Sequence, residues 1–178
     1  MRFIVNTMSY PIESIISAVD QSVRRVIEVL REQGQDGGRE GGYFSLAVAP
    51  GFHLFSYLVG EVVDIEKAER YARLSREKAD RLIRNFHRGH ISSWQSRDLE
   101  HESYGGAVKV EIPLRLVGPD TRLPENISGV FSFSGLPESG DEAAMLLAAH
   151  RMKFNIETVE VIAVSANEVA RQIFVTGV

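Results

Sequence analysis

The alternation of apolar and polar positions predicts two long amphipathic helices in the first half of the chain. From Pro11 to Arg31 the apolar residues recur every three or four positions, and proline is tolerated in a first helical turn. A second helix is predicted from about Ile65 to Phe86, with Asp64 as its N-cap and Gly89 marking its end. We expect each helix to bury one face against a core.

Strands are predicted between and after these helices. Residues 43–49 and 52–59 form a predicted hairpin joined at Pro50-Gly51, a residue order that favours a tight turn. The preceding segment 34–42 is rich in glycine and polar residues, so we expect a loop there. Residues 107–117 predict another strand, which the proline within it would place at an edge or a bulge.

The segment from Val130 to His150 predicts a strand, a turn and a helix in succession. Phe131 and Phe133 alternate with small polar residues, as in a strand with one buried face. Proline then interrupts the ladder, and Ser139 with Glu142 has the spacing of a helix capping box. The predicted helix would begin near Ser139 and pack its apolar face on the core.

The C-terminal part of the chain fits more than one pattern. Residues 158–164 have strand character, whereas Ser165 and Glu168 repeat the capping spacing and suggest a short terminal helix. Residues 172–178 fit a strand equally well. We expect one domain over residues 1–178, with a core of about 11–155 and extensions at 1–10 and 156–178 that pair with a sheet edge or with another subunit.

Composition narrows the classes of function. The 178 residues are 44% hydrophobic and 25% charged, which is ordinary for a soluble globular domain. The net charge of -4 argues against a nucleic-acid partner, and the lack of cysteine excludes thiolate chemistry and disulfides. No segment reaches membrane-spanning length, and Glu13 interrupts what a signal peptide would need. We expect a cytoplasmic protein without a membrane partner.

The element order, in which a hairpin and further strands are separated by helices, indicates an α+β fold with one sheet covered by helices. Four segments in the same order resemble the GlcG/HbpS-type family, whose members are often described as haem-binding or haem-degrading domains. The resemblance covers about residues 12–151 and is carried by AVAPGFHLFSY, SREKADRLIRNF, YGGAVKVEIPL and FSGLPESGDEA.

The resemblance implies a profilin-like fold of three layers, α/β/α. In this fold a central five-stranded, mostly antiparallel sheet has helices on both faces, and here terminal segments would be added to it. It also implies a small-molecule ligand, with haem or another tetrapyrrole as the candidate cofactor, and assembly into homo-oligomers.

Haem iron requires an axial ligand, and without cysteine this leaves histidine, methionine or tyrosine. His87 and His90 are three residues apart near the predicted end of the second helix, where they could share a ligand or simply face solvent. Lys78 and Arg81 could bind a propionate or another small carboxylate, but ion pairs along the helix surface are the simpler interpretation.

The remaining candidate ligand-binding residues lie between that helix and the next strand. Ser92 and Ser93 offer hydroxyl groups beside Trp94, which could stack on a ligand or fill the core. Tyr104 precedes Gly105 and Gly106, a pair that permits close backbone approach to a ligand or a turn into a strand.

Three hypotheses of function follow. The first is a small-ligand binding protein whose pocket contains these residues. The second is an oligomeric interaction protein without a cofactor or catalysis. The third is a haem-degrading enzyme, which only the family resemblance suggests. The sequence contains no nucleophile elbow, P-loop or dinucleotide-binding fingerprint, so no catalytic residue is predicted.

Overall fold

The structure, a computed structural model, describes residues 12–113 and 126–175. The predicted extension at residues 1–10, the end of the predicted strand after Pro113 and the last three residues lie outside the described residues. Within them, no helix is long and apolar enough to cross a membrane. The predicted α+β class is confirmed.

The sheet has four strands in the part of the chain that is described: β1 (Glu40–Val48), β2 (Phe52–Glu61), β3 (Ala107–Pro113) and β4 (Asn126–Ser134). The order across the sheet is β2-β1-β4-β3, and each neighbouring pair is antiparallel. The described residues therefore do not contain the fifth strand that the family resemblance implied.

The predicted hairpin is confirmed, but β1 begins earlier than the sequence indicated. Gly41 and Gly42, expected to lie in a loop, pair with β2. A side chain at Gly42 would collide with the backbone of Ser134, and one at Gly41 with the backbone of Val59. Glycine is used here for close packing in the sheet, which a polar composition does not reveal.

Helices cover both faces of the sheet. On one face, Phe44 and Phe131 pack in a core with α1 (Ile12–Glu32), whose apolar stripe is buried as predicted, and with α3 (Glu138–Arg151). On the other face, α2 (Ile65–Arg84) packs Ala79 and Leu82 against the sheet. Asp64 caps α2 as predicted, because its carboxylate accepts from the Glu66 amide at 2.9 Å.

The helix α3 begins at Glu138 with Pro137 as its N-cap, and no side chain caps it. The predicted capping box of Ser139 and Glu142 is therefore wrong. Ser139 already lies within the first turn, and Glu142 is fully buried and bonded elsewhere. The spacing of Ser139 and Glu142 fits a capping box, but the Glu142 carboxylate instead accepts hydrogen bonds from buried residues distant in sequence.

The prediction of a strand at residues 158–164 is also wrong, because α4 (Thr158–Ser165) occupies that segment. It is followed by α5 (Glu168–Val175), so the predicted terminal helix is confirmed and the alternative strand after residue 172 is not seen in the described part. Asn167 caps α5 by accepting from the Ala170 amide at 3.0 Å. Buried Val161, Val169 and Ile173 join these helices to the core on the α1 side.

Glu142 connects α3 to the chain segments on either side of it. Its carboxylate accepts from the hydroxyl of Ser92, from the hydroxyl of Ser165 at 2.5 Å and from the side-chain amide of Asn167 at 3.0 Å. Burial raises the pKa of this carboxyl, although the three donors oppose the rise. One buried acid therefore ties the terminal helices to the segment before β3.

We expect the Glu142→Gln substitution to flatten the pH dependence of stability. The folded protein holds a proton at Glu142 above pH ~4.3, where an unfolded glutamate releases it. The bound proton stabilises the folded protein fully below the pKa of the unfolded glutamate. This stabilisation is lost as the pH rises through the raised pKa of Glu142 in the folded protein. Urea unfolding at a series of pH values measures it, with the exposed Glu160→Gln as control. Parallel curves for wild type and Glu142→Gln would contradict the assignment.

Candidate functional site

A cavity of about 780 Å³ lies where the segment before β1, the start of α2 and the turn between β4 and α3 meet. This volume is within the range of small-molecule binding sites. Of the predicted binding residues, Lys78 and Tyr104 lie in its wall. The other lining residues are Gly37, Gly38, Arg39, Glu40, Gly41, Glu61, Val62, Val63, Asp64, Lys67, Arg70, Tyr71, Leu74, Ser134, Gly135, Leu136, Pro137 and Glu138.

A buried ion pair lies at this wall. The ammonium group of Lys78, on α2, is 2.7 Å from the carboxylate of Asp141, on α3, and also donates to the Phe133 carbonyl at 2.9 Å. The other carboxylate oxygen of Asp141 accepts from the Leu136 amide at 2.8 Å. Both side chains are almost completely buried. Lys78 therefore does not form the helix-surface ion pair that sequence spacing favoured.

Gly106 lies directly against this pair. Its φ is +110°, and a Cβ atom there would lie 2.5 Å from the Cβ of Asp141 and 3.0 Å from the Nζ of Lys78. The glycine is thus required by both backbone conformation and space. Gly106 therefore makes room for the ion pair and does not itself line the cavity.

Lys78 and Asp141 place two opposite charges next to the cavity. An ammonium group has three donors, and Asp141 and Phe133 account for two of those of Lys78, which leaves one. Burial raises the pKa of Asp141 to about 6, although the nearby Lys78 and the Leu136 amide act in the opposite direction. Deprotonated Asp141 is matched by the charge of Lys78.

Two helix N-termini border the cavity. Asp64, the cap of α2, lines it, and so do Leu136, Pro137 and Glu138 at the start of α3. No side chain caps α3, and its start carries the positive end of a helix dipole. Of the lining residues there, Pro137 has no N–H and the Leu136 amide already donates to Asp141. The helix dipole favours an anion at this end, whereas the carboxylate of Glu138 opposes one.

The cationic side chains around the cavity differ in whether they already have an ion-pair partner. Arg70 pairs with Glu102 at 3.0 Å, and Lys67 lies 4.0 Å from Asp64. Arg39 is exposed and forms no ion pair with any described residue, while its charge acts on Asp141 and lowers the pKa of that acid. Arg39 is therefore a cation available to a ligand.

Tyr104 is held in place by Arg81. The guanidinium donates to the Tyr104 carbonyl at 2.5 Å and to the carbonyls of Ser93 and Ser96 at 2.7 and 2.8 Å. It also forms an ion pair with Glu77 on its own helix, at 2.7 Å, as the charge spacing indicated. Arg81 is largely buried, however, and fixes the loop that carries Tyr104.

The other predicted residues before β3 have structural contacts. Ser92 bonds to Glu142, and the Ser93 hydroxyl accepts from the Ala107 amide at 3.0 Å. Gly105 packs against the ring of Trp94, and its amide donates to Glu138 at 2.6 Å. Glu138 lines the cavity, so this contact connects the predicted glycine pair to the site without placing it in the wall.

His87 and His90 lie beyond the opposite end of α2 from most of the cavity lining. Tyr71 lies in the wall, and the 14 residues from it to Asn85 span about 21 Å of helix at 1.5 Å per residue. His87 is exposed, and the Nδ1 atom of His90 is buried without a hydrogen-bond partner in the described structure. Neither histidine lines the cavity that contains Lys78 and Tyr104.

Sequence reasoning missed Asp141, Arg39 and Tyr71. Asp141 lies in the strand-to-helix segment that the resemblance singled out, but nothing in the sequence paired it with Lys78. Arg39 lies within the glycine-rich segment 34–42, whose composition predicted a loop and gave no sign of a binding residue. Among the described residues, no group of three or more His, Asp or Glu side chains could hold a metal ion.

No protein family model matches the sequence, and no curated protein matches it. Among solved structures, the crystal structure of the PduOC:heme complex is similar, with a TM-score of 0.46 and 13% identity over 79% of this chain and 95% of that chain. The crystal structure of HbpS gives a TM-score of 0.40 and 15% identity over 76% and 86%. HbpS gives its name to the family that the sequence motifs resemble. Both similarities are low and assign no ligand to this chain.

We expect Lys78→Met and Asp141→Asn each to reduce the free energy of unfolding by about 3–5 kcal/mol, because each leaves one buried charge unpaired. The double substitution removes both charges and should cost less than the sum of the single ones. Urea denaturation of the four proteins measures this coupling. The exposed pair of Arg70 and Glu102 is the control, and Arg70→Met should cost less than about 1 kcal/mol. Additive losses at Lys78 and Asp141 would show that their contact contributes nothing.

Proposed function

We propose that the protein binds a small organic anion in the cavity between α2 and the turn before α3. The observation that carries the proposal is the position of Lys78 in the cavity wall, where its buried ammonium group pairs with Asp141 and donates to the Phe133 carbonyl. Charge of this kind is costly to bury, so its position beside a cavity favours a function for the site.

Recognition of a carboxylate fits the surroundings of Lys78. The start of α3 places the positive end of a helix dipole on one side, and Arg39 supplies a guanidinium without a partner among the described residues. Carboxylates bind favourably to such helix ends and to planar guanidinium groups. The ligand we propose therefore places an acid group between Lys78, Arg39 and the first turn of α3.

The balance of charge favours a small ligand over a polymer. Arg39, Lys67, Arg70 and Lys78 line the cavity, and so do four acids, Glu40, Glu61, Asp64 and Glu138. A long polyanion would meet these acids, and neutralising phosphates requires a basic excess. This supports our expectation that nucleic acid is not the partner.

Haem or another tetrapyrrole is the first candidate within this class. Its propionates suit Lys78 and Arg39, and among the lining residues that the structure describes, Tyr71 and Tyr104 have side chains that could ligate haem iron. Haem would supply a redox-active iron at that position. The chain's own contribution would be to bind the propionates, exclude water with Leu74 and hold Tyr104 through Arg81.

The proposal is tested by titrating the protein with haemin and following the Soret band. We expect saturable binding that Arg39→Ala weakens by about tenfold, since a charged hydrogen bond contributes about 1.5 kcal/mol or more. Tyr104→Phe and Tyr71→Phe separate the two possible axial ligands, and only the ligating one should change the absorption spectrum.

His87→Ala is the matched control, because His87 is exposed at the far end of α2. It should leave both affinity and spectrum unchanged. If His87→Ala or His90→Ala abolishes binding while the cavity variants do not, the ligand lies at the histidines and the cavity assignment is wrong. Absence of saturable binding would exclude haem, and titration with other tetrapyrrole carboxylates would test the wider class.

A further inference from the structure

The outer face of α2 forms a charged groove of about 520 Å³ on the surface of the protein. The side of α2 that contains Ala79 and Leu82 packs on the sheet, and this groove lies away from it. The groove is lined by Glu69, Ala72, Arg73, Arg76, Glu77, Asp80 and Arg84. It thus carries three acidic and three basic side chains and has no net charge.

The order of these charges along α2 makes the groove complementary to the same groove on a second copy of the chain. When two copies of α2 lie antiparallel with the midpoint between Arg76 and Glu77, each of these two residues faces the other in the partner copy. Residues at equal distances from that midpoint then face one another. Arg73 faces Asp80, and Glu69 faces Arg84, so every charge in the groove meets its opposite.

Contacts within the chain hold the central charges in position. Arg76 lies over the ring of Tyr43, 5.8 Å from its centroid, and Asp80 pairs with His53 at 2.8 Å. Arg73 already pairs with Glu102 at 3.1 Å and Glu77 with Arg81 at 2.7 Å. By contrast, Glu69 and Arg84 form no ion pair or side-chain hydrogen bond with any residue that the structure describes. The two ends of the groove therefore have free charges of opposite sign.

We propose that this face of α2 is an interface between two copies of the chain, related by a two-fold axis that sets the helices antiparallel. An isologous contact requires a surface that is complementary to itself, which the charge order provides. Ala72 leaves room for the partner's long side chains at the groove. Because exposed ion pairs are weak and screened by salt, the dimer is weak and sensitive to ionic strength.

The test uses charge reversal at Glu69 and Arg84. Sedimentation velocity at low ionic strength should show wild-type dimers that dissociate at high salt. Glu69→Arg alone and Arg84→Glu alone each place like charges opposite one another twice, and each should weaken the dimer by about tenfold or more. An equimolar mixture of the two variants should dimerise again, because every reversed residue then meets its opposite in the other copy.

Matched controls reverse exposed charges elsewhere. Glu160→Arg on α4 and Arg24→Glu on α1 change the net charge by the same amounts and should leave the dimer intact. A wild-type protein that sediments as a monomer at low ionic strength would overturn the proposal. So would a mixture of the two variants that behaves like each variant alone, since association would then not depend on this pairing.

Discussion

The arrangement of the cavity depends on the ion pair between Lys78 and Asp141. The two residues belong to helices on opposite faces of the sheet, and they meet at the end of β4, where Lys78 also bonds to the Phe133 carbonyl. Because an unpaired charge is costly in the interior, the helices must keep the relative position in which these charges meet. That position also sets the wall of the cavity.

Three of the four segments that suggested the family resemblance meet at this pair. The segment of residues 75–86 supplies Lys78, that of 104–114 supplies Gly106, and that of 133–143 supplies Asp141. The ion pair explains the glycine at position 106, since only a glycine leaves space for the paired side chains. What unites these motifs in the structure is thus a packing and charge constraint, with the cavity beside it.

The sequence was sufficient for elements whose apolar pattern is strong and local. The helices α1 and α2 were predicted because their buried faces repeat every three or four residues. The helix α4 was not, because valines within Thr158–Ser165 favour a strand locally and only tertiary contacts decide otherwise. The site was predicted in part for a similar reason. Lys78 and Tyr104 could be singled out by type, but the partner of Lys78 lies 63 residues away.

The helix α2 also separates the two surfaces for which we propose functions. The helical period places Tyr71, Leu74 and Lys78 on the side of the cavity, whereas Glu69 and Arg73 lie in the outer groove. Residues next to each other in sequence therefore serve different surfaces. Ligand binding and self-association can for this reason be altered separately, provided that a substitution leaves the buried charge of Lys78 and its partner in place.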